Sequence, residues 1–202
     1  MDSRNHKHVF AHIAAQATGI AVALDERDRA THEHCSRVAG LSLELGAACG
    51  LSESELLRLQ IVAGFHDVGK IGIPDRVLRK LTPYNDDDWI LMKEHSTRGE
   101  RIVRAAALED GETIAQAVRH HHERYDGAGY PDGLKGERIP ILSRIVTVID
   151  SYDAMARMRL YRSGRSHSDI MLELKRHSGR QFDQYVIEKF EAIIENSSFK
   201  AV

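Results

Sequence analysis

Apolar residues recur along this chain every three or four positions, the period of a helix that buries one face, and no stretch of useful length alternates as a half-buried strand would. Val9, Ile13, Ala17, Ile20, Ala21 and Leu24 form the first stripe, followed by a charged break from Asp25 to Arg29. A second helix is predicted from about His34 to Ala48, with Val38, Leu41 and Leu45 inward and Gly50 as its stop. Ser52 and Glu55 have the spacing of a capping box, which starts a third helix carrying Leu56, Leu59, Val62 and Ala63 toward His66. Gly69, Gly72 and Pro74 interrupt the pattern, and Asn85 with Asp86, Asp87 and Asp88 marks the next start. Three aspartates in a row could bind a cation, but carboxylates in a first helical turn also oppose the macrodipole, and that reading is preferred. This helix carries Trp89, Met92 and His95, and the chain is expected to restart at Ser96 or Thr97 and run to Ala107.

A further helix is predicted from Thr113 to His122, with Ile114, Ala117, Val118 and His121 on one face. A glycine-rich loop follows, and Pro140 leads into the apolar helix LSRIVTVIDSYDAM. Two closing helices are expected, from about Ser168 to Arg176 and from Asp183 to Glu195. The fold class is therefore all-α. Residues 1–24 read as an N-terminal helix that could serve as a signalling connection or a dimer contact, and 25–202 as the main domain.

Composition narrows the function classes. Lys and Arg total 28 against 30 Asp and Glu, a formal charge of −2, so no global basic field favours sequence-independent binding to DNA or RNA. Apolar runs such as Ile61-Val62-Ala63 fall far short of a membrane span, and MDSRNHKHVF has no apolar signal core, so a soluble cytoplasmic protein is expected. Cys35 and Cys49 share one predicted helix, which at ~1.5 Å per residue holds them too far apart for a disulfide. The 12 histidines change the picture most.

In FHDVGKIGIPD, His66 and Asp67 stand side by side at the end of an apolar helix. Adjacent helical residues point about 100° apart, so both reach one centre only near a helix end. Taken alone, the pair fits either a buried hydrogen-bonded couple or a dinuclear metal centre. Asp150 closes the run Ile145 to Ile149 on a helix written for burial, where an unpaired carboxylate would cost several kcal/mol. Arg144 and Arg157 lie at the wrong offsets on that helix, so its cationic partner must come from elsewhere. His34, His66, Asp67, His95, His121, His122 and Asp150 together supply five imidazoles and two carboxylates, enough for two metals with open positions for water. Such nitrogen and oxygen donors suit Fe, Mn, Zn, Ni or Co and disfavour Ca or Mg.

The sequence resembles the HD-GYP family, the subgroup of HD metal-dependent phosphohydrolases associated with hydrolysis of cyclic di-GMP. The resemblance rests on HDVGKIGIPD at His66 to Asp75, HHERYDGAGYPDGLKGERIP at His121 to Pro140 and VIDSYDAM at Val148 to Met155, and it extends roughly from Ala21 to Ile194. It implies a compact HD-domain helical bundle with the metal site in its core. It assigns metal ligation to the same seven residues, with Asp67 as the bridge, and gives Asp67 and Lys70 the catalytic roles. Lys70 also corresponds to the family's substrate-phosphate lysine, Arg159 and Arg162 to the pair holding the second phosphate, and Gly127, Gly129, Tyr130 and Pro131 to the signature loop, with Tyr130 a substrate contact.

The implied reaction is hydrolysis of cyclic di-GMP to pGpG, with a second cut to GMP left open, by water activated between two divalent ions, Fe or Mn foremost. The family also implies alternatives: a catalytically weak cyclic di-GMP receptor, or a module whose GYP loop docks diguanylate cyclase (GGDEF) domains. A nucleotidase of the wider HD group is disfavoured by the long GYP segment. Some members bind a third metal through a glutamate at a position that is Ala30 here, so two metals are expected. His32 and Glu33 are expected to face solvent instead of substituting for it, and Leu160 stands where a proline is usual, after an atypical Arg157-Met158. His6, His8 and His12 are read as a solvated face, and His120, His167 and His177 receive no role.

Overall fold

The computed structural model describes residues 19–20, 22–157 and 166–201, and among them every regular element is helical. The one β-type contact there is an isolated bridge between Ser178 and Phe182. The N-terminal stripe up to Thr18 lies outside the described residues. Residues 22–27 are helical, so the charged stretch is not itself a break. Only Asp28 leaves helical geometry, and it does so as the cap of α1 (Arg29–Ala48), accepting the Thr31 N–H at 3.4 Å. Helix α1 thus starts five residues before His34, which sits inside it rather than at its head.

Helix α2 (Glu53–Phe65) begins with the expected capping box, Ser52 N–H donating to Glu55 at 2.8 Å and Glu55 N–H to the Ser52 hydroxyl at 3.4 Å. A 3-10 turn (Val68–Gly72) and the short α3 (Asp75–Leu78) follow; neither has enough length for periodicity to reveal it. Helix α4 (Asp86–Ala105) opens on a capping box between Asn85 and Asp88, in accord with the capping reading of the three aspartates. It runs without the expected restart. The hydroxyls of Ser96 and Thr97 each donate at 3.0 Å to a carbonyl three residues back, Lys93 and Glu94, so these residues are accommodated inside the helix.

Helix α5 (Gly111–Arg119) ends before the histidine triplet, three residues short of the predicted stop, so the histidines occupy a turn. Helices α6 (Ile141–Arg157), α7 (His167–Arg176) and α8 (Gln184–Ile194) complete the domain, with Ser166 and Asp183 as caps of the last two. Helix α1 packs on α2 and α6, and α4 on α5 and the 3-10 turn. Val38, Leu45, Leu59, Val62, Val118 and Ile145 are completely buried in the shared core. Cutting any of the large ones to alanine would cost about 2–5 kcal/mol. No described helix is long and apolar enough to cross a membrane.

Candidate metal centre

The seven predicted donors reach one place from five directions. His34 comes from α1, His66 and Asp67 from the end of α2, His95 from α4, His121 and His122 from the turn after α5, and Asp150 from α6. They form two groups: His34, His66 and Asp150, and Asp67, His95, His121 and His122. Asp67 faces both, its Oδ2 3.6 Å from His66 Nε2 and its Oδ1 3.5 Å from His95 Nε2. Asp150 Oδ1 lies 2.9 Å from His34 Nε2 and 3.9 Å from His66 Nε2.

Three of the histidines are oriented by one device. His66, His95 and His121 each donate Nδ1–H to the carbonyl three residues earlier, Ala63, Met92 and Val118, at 2.7, 2.6 and 2.6 Å. Each ring then carries its lone pair on Nε2, the nitrogen that faces the centre. His66 Nε2 is buried with no hydrogen-bond partner. Its neighbouring carboxylates at 3.6 and 3.9 Å are too far for a hydrogen bond. Two donors bound to one ion at ~2.1 Å lie roughly 3–4 Å apart, so this orphaned atom and its neighbours fit a metal ion.

The electrostatics fit as well. Burial disfavours charge on Asp67, yet Lys70 and the surrounding histidines outweigh it and hold the carboxylate well below its usual range. Lys70 Nζ donates to Asp67 Oδ2 at 2.5 Å. Burial likewise works against charge on Asp150, but His34 and His66 keep it ionised. Burial pushes His95 and His121 down, with like charges adding for His121, and takes His122 to about 3. These rings are neutral near pH 7, as ligands must be. His34 differs: burial lowers it, but Asp150 and Asp153 more than compensate and raise it to about 9. Cys35 Sγ lies 3.9 Å from His66 Nδ1, and burial, then Asp67, raises its thiol, favouring the neutral form over a thiolate.

The glycine loop packs over the Asp67 group. Tyr130 stacks on His122 with ring centroids 4.9 Å apart, and its backbone N–H donates to the His122 carbonyl at 3.2 Å. The buried Glu123 accepts the N–H groups of Asp132 and Leu134 at 2.7 and 3.1 Å, fastening the far side of the loop. Sequence reasoning missed Glu123, although an acid directly after three histidines was a signal. It also missed Arg37 and Asp153, which contact His34 or its partner, and whose three-residue spacing from His34 and Asp150 was the available clue.

Other positions fall elsewhere. His120 pairs with Asp132 at 2.8 Å, His167 with Glu195 at 2.9 Å and His177 with Glu173 at 3.3 Å. Glu33 is exposed and pairs with Arg29, and neither it nor His32 joins either donor group. Arg144 pairs with Asp183 at 2.5 Å, which leaves Asp150 to the histidines. Arg159, Leu160, Arg162 and the three N-terminal histidines lie outside the described residues.

Comparison with known proteins bears on this geometry. A cyclic di-GMP phosphodiesterase of Thermotoga maritima is 40% identical over 164 residues, 81% of this chain and 45% of that protein. A 3′3′-cGAMP-specific phosphodiesterase 2 of Vibrio cholerae is 34% identical over 169 residues, 84% of this chain and 32% of that one. The crystal structure of a cyclic GMP-AMP specific phosphodiesterase of V. cholerae matches with a TM-score of 0.69 and 25% identity, over 89% of this chain and 48% of that one. The chain spans less than half the length of these curated relatives. The family model described as "HD domain" matches residues 19–186, from before α1 into α8, and the chain belongs to that family.

Proposed function

We propose that this domain is a metal-dependent phosphodiesterase of the HD-GYP type that hydrolyses cyclic di-GMP to pGpG and, by a second cut at the remaining phosphodiester, to GMP. The observation that carries the reading is the partnerless His66 Nε2 between two carboxylates, within a set of seven nitrogen and oxygen donors. His34, His66 and Asp150 would hold one divalent ion and His95, His121 and His122 a second, with Asp67 serving both. Fe or Mn is proposed first, and Zn, Ni and Co suit the same donors. Such ions supply Lewis acidity and lower the pKa of water toward neutrality.

The chain's own residues complete the chemistry. Lys70, partly exposed at the edge of the centre, presents an ammonium to a non-bridging phosphate oxygen, where charge grows as the phosphodiester is attacked. Tyr130 holds the His122 ring by stacking and forms a wall beside it. Arg159 and Arg162 are assigned to the second phosphate. The same proposal places the domain in the cytoplasm, gives the GYP loop as the surface for a GGDEF domain, and leaves a homodimer contact to the N-terminal segment 1–24.

Protein reconstituted anaerobically with Fe(II), and separately with Mn(II), is to be incubated with cyclic di-GMP and the products separated by chromatography beside an Asp67→Ala control. Formation of pGpG or GMP, absent in the control, is expected. Two bound metals without turnover would overturn the enzyme reading, and tight nucleotide binding in those samples would indicate a receptor. A second substrate, 3′3′-cGAMP, is favoured by the Vibrio relative's name. Running both nucleotides side by side ranks them by kcat/KM.

A further inference from the structure

His34 is held unlike the other oriented rings of the centre. His66, His95 and His121 bond their Nδ1 to a backbone carbonyl of their own segment, which the local turn supplies automatically. His34, like His95, lies inside a helix, but its ring turns away from its own helix toward the neighbouring one. Its Nδ1–H instead donates to Asp153 Oδ2 at 2.7 Å, across to α6. Asp153 is fixed in turn by Arg37, whose Nε donates to Oδ1 and Nη2 to Oδ2, both at 2.8 Å. The same guanidinium is tied back to the Glu33 carbonyl at 2.8 Å through Nη1.

The four side chains form a grid. His34 and Arg37 are one turn apart on α1, Asp150 and Asp153 one turn apart on α6, and the two helices pack face to face. His34 spans the grid with Nε2 at Asp150 and Nδ1 at Asp153. A carboxylate on Nδ1 fixes the tautomer and the ring plane of a ligating histidine and raises its donor strength. A bidentate Arg–carboxylate pair is rigid and costs little further ordering.

We propose that Asp153, pinned by Arg37, is a positioning residue for the metal ion on the His34 side of the centre, fixing His34 so that its Nε2 lone pair is presented beside Asp150. The inference rests on the metal-centre reading. It makes the two ions unequal: the ion on the His34 side depends on an ion pair between helices, and the other on His95 and His121, oriented locally, with His122 stacked on Tyr130. Loosening the α1–α6 contact would therefore release the first ion before the second.

The test is titration of the metal-free chain with Mn(II), and separately Co(II), in competition with a chromophoric chelator. Wild type is expected to bind two ions. Asp153→Ala is expected to weaken one of them by about 10- to 100-fold and leave the other unchanged. Asp153→Asn, which keeps an acceptor for Nδ1–H and is nearly isosteric, is expected to weaken the same ion by a smaller factor, and it carries the comparison if the alanine variant does not fold. In a His34→Ala background, Asp153→Ala is expected to cause no further loss, which a merely structural role would not produce. Wild-type affinity for both ions in the Asp153 variants, equal loss of both, or an undiminished effect without His34 would overturn the inference. A wild type that saturates below two ions would overturn the metal-centre reading, and this inference with it.

Discussion

His34 and His122 carry opposite pH signatures. In the metal-free protein His34 is raised to about 9 by Asp150 and Asp153 against the pull of burial, while burial and then His95 depress His122 to about 3. Between pH 6.5 and 9 the folded state therefore holds a proton on His34 that the unfolded chain lacks, and stability falls as pH rises. Below pH 6.5 the unfolded chain protonates histidines that stay neutral when folded, so stability falls as pH drops toward 3. The metal-free melting temperature should peak near pH 6.5–7 and decline on both sides, read by thermal melts across that range; a monotonic profile would contradict these assignments. Metal uptake at pH 7.5 must also displace the His34 proton. Calorimetric titrations in buffers of different ionisation enthalpy should show about one proton released per chain, and less for His34→Ala. At this scale the candidate donor types were legible because a carboxylate such as Asp150, after four apolar residues and a threonine, demands a cationic or metal partner. The three-residue spacing of Arg37 from His34 and of Asp153 from Asp150 was a clue to shared faces, but their pairing was not legible, since it depends on which faces of α1 and α6 meet.

Elements hold the donors by close backbone contact. The 3-10 turn after Asp67 lies directly on α4: a Cβ at Gly69 would stand 1.8 Å from the His95 carbonyl oxygen and 2.6 Å from Gly99 N. Backbone cannot yield as a flexible side chain would, so Gly69→Ala should cost about 3 kcal/mol or more by chemical denaturation and displace His66–Asp67 from His95, lowering metal content. The loop is seated in the same way, with a Cβ at Gly129 2.5 Å from Glu123 Cα. Glu123→Ala removes the buried carboxylate that accepts two loop N–H groups, an expected loss of about 2–3 kcal/mol. Because Glu123 touches the loop and not the seven donors, that variant should retain both metals while its KM rises; loss of metal would contradict the separation of roles. The long helices were legible because three- and four-residue periodicity over ten or more positions is unambiguous. The 3-10 turn at Val68–Gly72 was not, being set by the contact of Gly69 on α4. Ser96 and Thr97 looked like a start signal because their hydroxyls cap helices as readily as they bond back into one.

Across the whole molecule, the helices that carry the donors are also those that enclose the core, so metal binding and folding are coupled. Ions that bind only the folded chain stabilise it by mass action, about 2.7 kcal/mol for each site at a free concentration of a hundred times its Kd. Chelation should accordingly lower the melting temperature, and re-addition of Mn(II) should restore it. The seven candidate donors were readable from sequence as a set because histidine and aspartate are costly in apolar surroundings, and His34 to Asp150 spans most of the chain. Their division into two groups about Asp67 was not, because it depends on which side of each packed helix faces which neighbour. The central claim is that division. Anomalous scattering from crystals of the Mn(II)-reconstituted protein tests it most directly. Two peaks are predicted, one among His34, His66 and Asp150 and the other among His95, His121 and His122, with Asp67 at both. A single peak, or metal away from Asp67, would contradict it.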